Sequence, residues 1–108
     1  MKPWRLTRRA EAALTGIADW TYETFGPRQA EAYEQDLIAC CTGIAAGTVL
    51  SHSCRKLIDA NLPEDLRFAR SGQHFIVFIE DAAEIIILDF LHARADLPGK
   101  LSALDEGG

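Results

Sequence analysis

Near the C-terminal end, His92, Arg94 and Asp96 alternate with alanines in the run His92-Ala93-Arg94-Ala95-Asp96. Side chains at every second position of an extended backbone share one face, so an imidazole, a guanidinium and a carboxylate would converge there. Such a trio has the parts for phosphate chemistry, with His92 as general acid or base and Arg94 holding a phosphate or an oxyanion. The same spacing has a structural use, which is favoured: Asp96 caps a following helix or pairs with Arg94, and His92 is hydrogen-bonded at the core edge. The three histidines, His52, His74 and His92, stand too far apart for a local metal motif. No Gly-x-Ser-x-Gly elbow and no phosphate loop is present. Cys40 and Cys41 are adjacent and Cys54 is solitary, which gives neither an even disulfide framework nor a Cys-x-x-Cys pair. All three cysteines are expected to be small buried hydrophobes or idle thiols. No catalytic residue, metal ligand or cofactor is assigned.

The strand that must carry His92 closes a longer pattern. Residues 75–79 and 85–88 are apolar runs rich in β-branched and aromatic side chains and bounded by turn chemistry. Ser71-Gly72 is expected to close one hairpin, because glycine adopts the positive φ of a tight turn. The acidic loop Glu80-Asp81-Ala82-Ala83-Glu84 closes a second. The spacing predicts an antiparallel meander of 66–70, 73–79 and 85–92. Its middle strand is apolar on both faces, so both faces need a cover, which is expected from the earlier part of the chain. Residues 3–6 read as a fourth strand on the sheet edge, where Pro3 can spare a backbone donor.

Thr7 reads as an N-cap, with Ala10 where a capping box would need an acid. Ala10, Leu14, Ile17, Thr21 and Phe25 recur at helical spacing, flanked by Trp20, and predict a helix over 8–24 that Gly26 ends. Pro27 suits a first helical position, and Ala30, Tyr33, Leu37, Cys40 or Cys41, and Ile44 repeat the stripe up to Gly47. The Gly26-Pro27 connection forces an antiparallel pair whose apolar faces pack on the sheet. Residues 48–65 read as a loop with one helical turn. The fold class is therefore α+β: an N-terminal strand, an antiparallel helical hairpin on a small antiparallel sheet, and a short C-terminal helix. The 108 residues make a single domain, with 1–101 as core and 102–108 as a frayed tail.

Hydrophobic residues are 48% and charged residues 25% of the chain, ordinary for a globular protein. No apolar run approaches the roughly 20 residues of a membrane span, and the start lacks a signal-peptide core, so no membrane is involved and a cytoplasmic location is expected. A net charge of −5 and a pI near 5.1 oppose direct nucleic-acid binding. The charges are unevenly spread, however. Residues 52–74 carry Arg55, Lys56, Arg67 and Arg70, whereas residues 75–96 carry five acids against Arg94 alone. A basic patch of Arg67, Arg70 and Arg94 that docks an acidic partner segment is one reading; solvated charges that keep the domain soluble are the other.

The order of these elements and their wording resemble the ParE toxins of the ParE/RelE superfamily of type II toxin–antitoxin modules. The matching pieces are Pro3-Trp4-Arg5-Leu6-Thr7-Arg8-Arg9-Ala10 with Leu14 and Ile17, the Gly26, Ala30, Tyr33, Leu37 pattern, Leu66-Arg67, Gly72-x-His74, and Leu91-His92-x-Arg94-x-Asp96. The resemblance implies a bacterial toxin that inhibits DNA gyrase by protein–protein binding, without enzymatic action, and is neutralised by a ParD-type antitoxin in a hetero-oligomer. Arg67, Arg70, His74, His92, Arg94 and Asp96 are then the candidate partner-binding residues. RelE-like relatives cut messenger RNA on the ribosome, using basic side chains and often a tyrosine or histidine near the C-terminus. Here the chain after Asp96 has Lys100 but no tyrosine or histidine, which favours the ParE branch; a ribonuclease and a non-toxic interaction module of the same fold are the alternatives. The sequence departs from the family pattern at Ala95, where methionine is common, near Phe78 to Glu80, where an arginine or tyrosine is common, and at Asp89, which is expected to be exposed and to pair with Arg67 or Arg70 across the sheet.

Overall fold

The computed structural model describes residues 2–107. β1 (Trp4–Leu6) passes through Thr7 into α1 (Arg8–Phe25). Thr7 does two jobs: its Oγ1 accepts from the Ala10 N–H at 3.2 Å and its hydroxyl donates to the Leu88 carbonyl at 3.1 Å, fastening the helix start to the sheet. Gly26, at φ 93°, both ends α1 and begins α2 (Pro27–Ala46), a reversal that a residue with a Cβ would strain to make. The next segment holds β2 (His52–Ser53) and α3 (Cys54–Leu57). The meander follows as β3 (Arg67–Ser71), β4 (His74–Glu80) and β5 (Ile85–His92), and α4 (Leu97–Gly107) closes the fold. The helix thus continues past Ser102, where the tail was expected to fray. Gly108 lies outside the described residues.

The sheet order is β1-β5-β4-β3-β2. β1 runs parallel to β5, pairing Trp4 with Ile85 and Leu6 with Ile87, so the sheet is mixed rather than antiparallel throughout. The remaining pairings are antiparallel. The α1–α2 hairpin and everything up to Glu84 intervene between β1 and β5, a connection long enough to cross over and return in the same direction. β2 is a fifth strand that sequence reading omits, because His52-Ser53 has no apolar alternation to mark it. The first hairpin turns on Gly72-Gln73 rather than Ser71-Gly72, with Ser71 paired to His74. In the second loop, the Asp81 carboxylate accepts from the N–H groups of Ala83 and Glu84 at 2.7 and 2.8 Å.

Both faces of the sheet are covered, as the doubly apolar β4 requires. Leu37, Cys41 and Ile44 of α2 and Ala10 of α1 pack on one face against Ile76, Phe78, Ile85 and Ile87. The other face carries Phe68, Val77 and Leu91, and is covered by Cys54, Leu62 and Leu66 and by Leu101 of α4. The cover therefore comes only partly from the earlier chain; the last helix supplies the rest. A bulge in β5 reverses its facing: Val77 opposes Asp89 and Phe78 opposes Ile87, leaving Leu88 unpaired between them. Ile85 and Ile87 face the helices, and after the bulge so does Phe90.

Asp89 is 9% exposed at that bulge and accepts from the Phe90 N–H at 2.8 Å. Burial pushes its carboxyl above the usual range, against the opposing pull of the Phe90 bond, Arg9 and Lys100. It does not pair with Arg67 or Arg70, since β4 lies between β5 and β3. The cysteines are free. Burial pushes the Cys41 thiol up to about 12, with Cys40 adding to it, and the Cys54 thiol up to about 11, against the pull of Arg67.

Gly16 sits inside α1, and a Cβ built there meets nothing within 4 Å. Gly16→Ala is therefore expected to stabilise the fold by about 0.5–1 kcal/mol, through the helix preference alone, read as a higher urea midpoint. A lower midpoint would mean that the position is crowded.

Candidate functional site, an apolar groove ending in two histidines

α1 buries only Ala10 and Thr21 along its length. Past Thr21 the predicted stripe leaves the core: Phe25, its last member, and the flanking Trp20 stay exposed. Trp20 and Phe25 are 61% and 62% exposed and stand edge to face, 5.8 Å between ring centres. They border a groove of about 670 Å³ between α1, Tyr33 of α2 and the end of the sheet at His74, Phe90 and His92. Its walls carry no Asp, Glu, Lys or Arg. The Thr21 hydroxyl turns back to the Ile17 carbonyl at 2.7 Å and leaves its methyl for the wall.

The polar end of the groove is a small network. Tyr33 reaches across from α2 over the first hairpin. Its oxygen accepts from the Gln73 N–H at 3.0 Å, and its proton has two acceptors, His74 Nδ1 at 2.7 Å and the Ser71 carbonyl at 3.3 Å. Gly72 is required twice over: its φ is 59°, and a Cβ there would come within 2.7 Å of the Tyr33 ring. His74 and His92 are cross-strand partners with ring centres 5.2 Å apart, edge to face. The bulge in β5 makes this possible, because it turns Phe90, and with it His92, to the helix-covered side that Ile85 and Ile87 face. His92 Nδ1 accepts from the Arg94 N–H at 3.0 Å.

Burial, and then the neighbouring His92, hold the His74 pKa below the usual imidazole value of 6.5. The folded state thus prefers neutral His74, and the unfolded chain binds a proton first. Stability is expected to be fully present above pH 6.5 and to decline as pH falls below it, levelling off below the folded-state pKa. Thermal melts between pH 7.5 and 5 check this; His74→Phe should flatten that part of the profile, and an unchanged slope would contradict it.

The other residues singled out by sequence are scattered. Arg67 is held by Ser51, donating to its Oγ and its carbonyl, both at 3.0 Å. Arg70 donates to the Gly72 carbonyl at 3.0 Å and lies 5.6 Å over the Phe75 ring. Arg67 and Arg70 are three positions apart on β3 and face opposite sides of the sheet, so they do not form one patch with Arg94. The chain turns after His92, with the Ala95 N–H on the His92 carbonyl at 2.9 Å, so His92, Arg94 and Asp96 do not converge. Asp96 caps α4, accepting from the Gly99 N–H at 3.4 Å. Of the candidates, the groove gathers His74 and His92 alone. Tyr33, Trp20 and Phe25 were legible as aromatic helix positions but read as core. Among the described residues no group of three or more His, Cys, Asp or Glu stands ready to hold a metal ion, and no helix is long and apolar enough to cross a membrane.

A helical hairpin over a mixed five-stranded sheet defines a small α+β fold. The same fold occurs in a chain of the chromosomal ParDE TA system from P. aeruginosa, with a TM-score of 0.62 at 19% identity, covering 85% of this chain and 96% of that one. Residues 4–97 match the family model of the ParE toxin of the type II toxin–antitoxin system, parDE. Toxin ParE1 of Caulobacter vibrioides is 38% identical over 103 residues, covering 90% of this chain and 99% of the relative. Toxin ParE of Escherichia coli is 31% identical over 103 residues, covering 94% and 95%. The chain belongs to the ParE toxin family.

Proposed function

We propose that the chain acts as a toxin by binding DNA gyrase, without catalysing a reaction, and that a ParD-type antitoxin neutralises it by laying an amphipathic helix in the Trp20–Phe25 groove. The observation that carries the docking reading is the groove itself. Large apolar side chains stand half or more exposed along a helix that could have buried them, the usual mark of a surface completed by a partner. A helix laid in an apolar groove is a recurring mode of peptide recognition, and an extended antitoxin segment would add to the open edge at β1 or β2. The scattering of Arg67, Arg70, Arg94 and Asp96 supports binding over catalysis. A toxin with these two partners would act in the bacterial cytoplasm.

Supercoiling and cleavage assays with purified gyrase test the target. Inhibition that rises with toxin concentration is expected, and no effect at saturation removes gyrase. The ribonuclease reading has one observation in its favour, the Tyr33–His74–His92 network, and predicts discrete cuts in translated messages by primer extension. Normal growth on induction without antitoxin would instead indicate a non-toxic interaction module.

A further inference from the structure

We propose that the groove selects its occupant by a carboxylate: an Asp or Glu on the apolar face of the docked partner helix accepts the Nε2–H groups of His74 and His92. This rests on the docking reading above and specifies its chemistry. The argument starts from where the imidazole protons sit. A backbone amide only donates, so the His92 Nδ1 that receives the Arg94 N–H is the bare nitrogen, and the proton is on Nε2. The Tyr33 hydroxyl already accepts from Gln73, and we assign its proton to the nearer acceptor, His74 Nδ1 at 2.7 Å against 3.3 Å for the Ser71 carbonyl, which places the His74 proton on Nε2 as well.

Neither Nε2 has a partner within the described residues. No buried side-chain nitrogen or oxygen is left unsatisfied there, so the Nε2 of half-buried His74 is accessible, and both His74 and exposed His92 line the groove. Ring centres 5.2 Å apart put the two donors within the span of one carboxylate, whose two oxygens each accept at about 2.8 Å. The groove walls hold no acid that would satisfy these donors internally, and no Lys or Arg that would compete for the carboxylate. An apolar helix without an acceptor would bury two N–H groups unpaired, so the pair rejects as well as attracts.

The network also tolerates a charged His74. Protonated at Nδ1, it donates to the Tyr33 oxygen, and the Tyr33 proton swings to the Ser71 carbonyl at 3.3 Å, leaving all three bonds of Tyr33 satisfied. Of the elements around the groove, α1 contributes no titratable wall residue, α2 contributes Tyr33, and β5 contributes His92. A bound carboxylate favours the protonated form of His74, so affinity rises as pH falls from 7.5 to 6.

The test selects from a displayed library of amphipathic helices, with one position of the apolar face varied among Asp, Glu, Asn, Gln and Leu, on the purified full chain. Asp or Glu is expected to be enriched, and changing that acid to its amide in the synthesised peptide should weaken binding about tenfold. On His92→Phe or His74→Phe the difference should shrink to within about twofold; exposed His92 guards against a His74 variant that fails to fold. Selected helices that compete at the groove without acid preference overturn the carboxylate inference and leave the docking reading standing. Helices that bind a groove-blocked Gly16→Arg chain equally well, or no selected helices at all, overturn both.

Discussion

Leu101→Ala is expected to lower stability by about 2–5 kcal/mol, a fall in Tm of roughly 10 °C or more for a domain of this size. Leu101 is fully buried, yet it belongs to α4, the last element, and lies beyond residues 4–97 that match the family model. Its side chain joins Cys54, Leu62, Leu66 and Val77 on the sheet face opposite the helical hairpin. Truncation removes the transfer free energy of the lost carbons and leaves a cavity, because the rigid sheet on one side cannot collapse into it. Leu104, only partly buried in the same cluster, should cost clearly less on truncation. Urea melts of the two variants against the native chain make the measurement. A Leu101→Ala change below about 1 kcal/mol would mean that α4 contributes little to the folded state in solution.

That second face shows where sequence reading reaches its limit. Thr7, Gly26-Pro27 and the acidic loop at Asp81 were legible because each acts through bonds to residues within a few positions, and the structure keeps all of them. The two-faced cover was legible as a need, since residues 75–79 have no polar face, but the source of the cover was not. Leu62 and Leu66 flank Pro63, Glu64 and Asp65, and Leu101 closes the predicted core just after Pro98 and Gly99, so nothing in their spacing shows which face of the sheet they would cover. The site was less legible still. His92 faces the groove because of a single unpaired residue, Leu88, in β5; simple alternation from Ile85 and Ile87 would turn His92 away. Tyr33 fits a core stripe, and its role comes from a contact with His74 across 41 positions. Phe25 completes the α1 stripe in sequence but is 62% exposed, because the helix outruns the sheet beneath it.

Gly16→Arg is expected to weaken antitoxin binding by roughly two orders of magnitude, the scale of losing an interface hot spot, while leaving the toxin folded. Gly16 forms part of the groove wall, and the space in front of its Cα is open. The new Cβ therefore starts out without a clash, and the aliphatic stem can lie along Ile17 and Trp20 with the guanidinium in water. Gly16→Ala separates the two effects: it carries the helix gain without the bulk, and so should bind nearly as well as the native chain. Calorimetry of each variant with a ParD-type antitoxin gives the affinity, and growth during co-expression gives the consequence, with Gly16→Arg escaping neutralisation. The loss should be nearly independent of salt, since it comes from excluded shape and apolar contact. Arg94→Ala, by contrast, removes an exposed charge and should matter more at low salt than at high salt. Unchanged affinity for Gly16→Arg would place the antitoxin helix elsewhere, and gyrase inhibition lost together with antitoxin binding would mean that target and antitoxin contend for one surface.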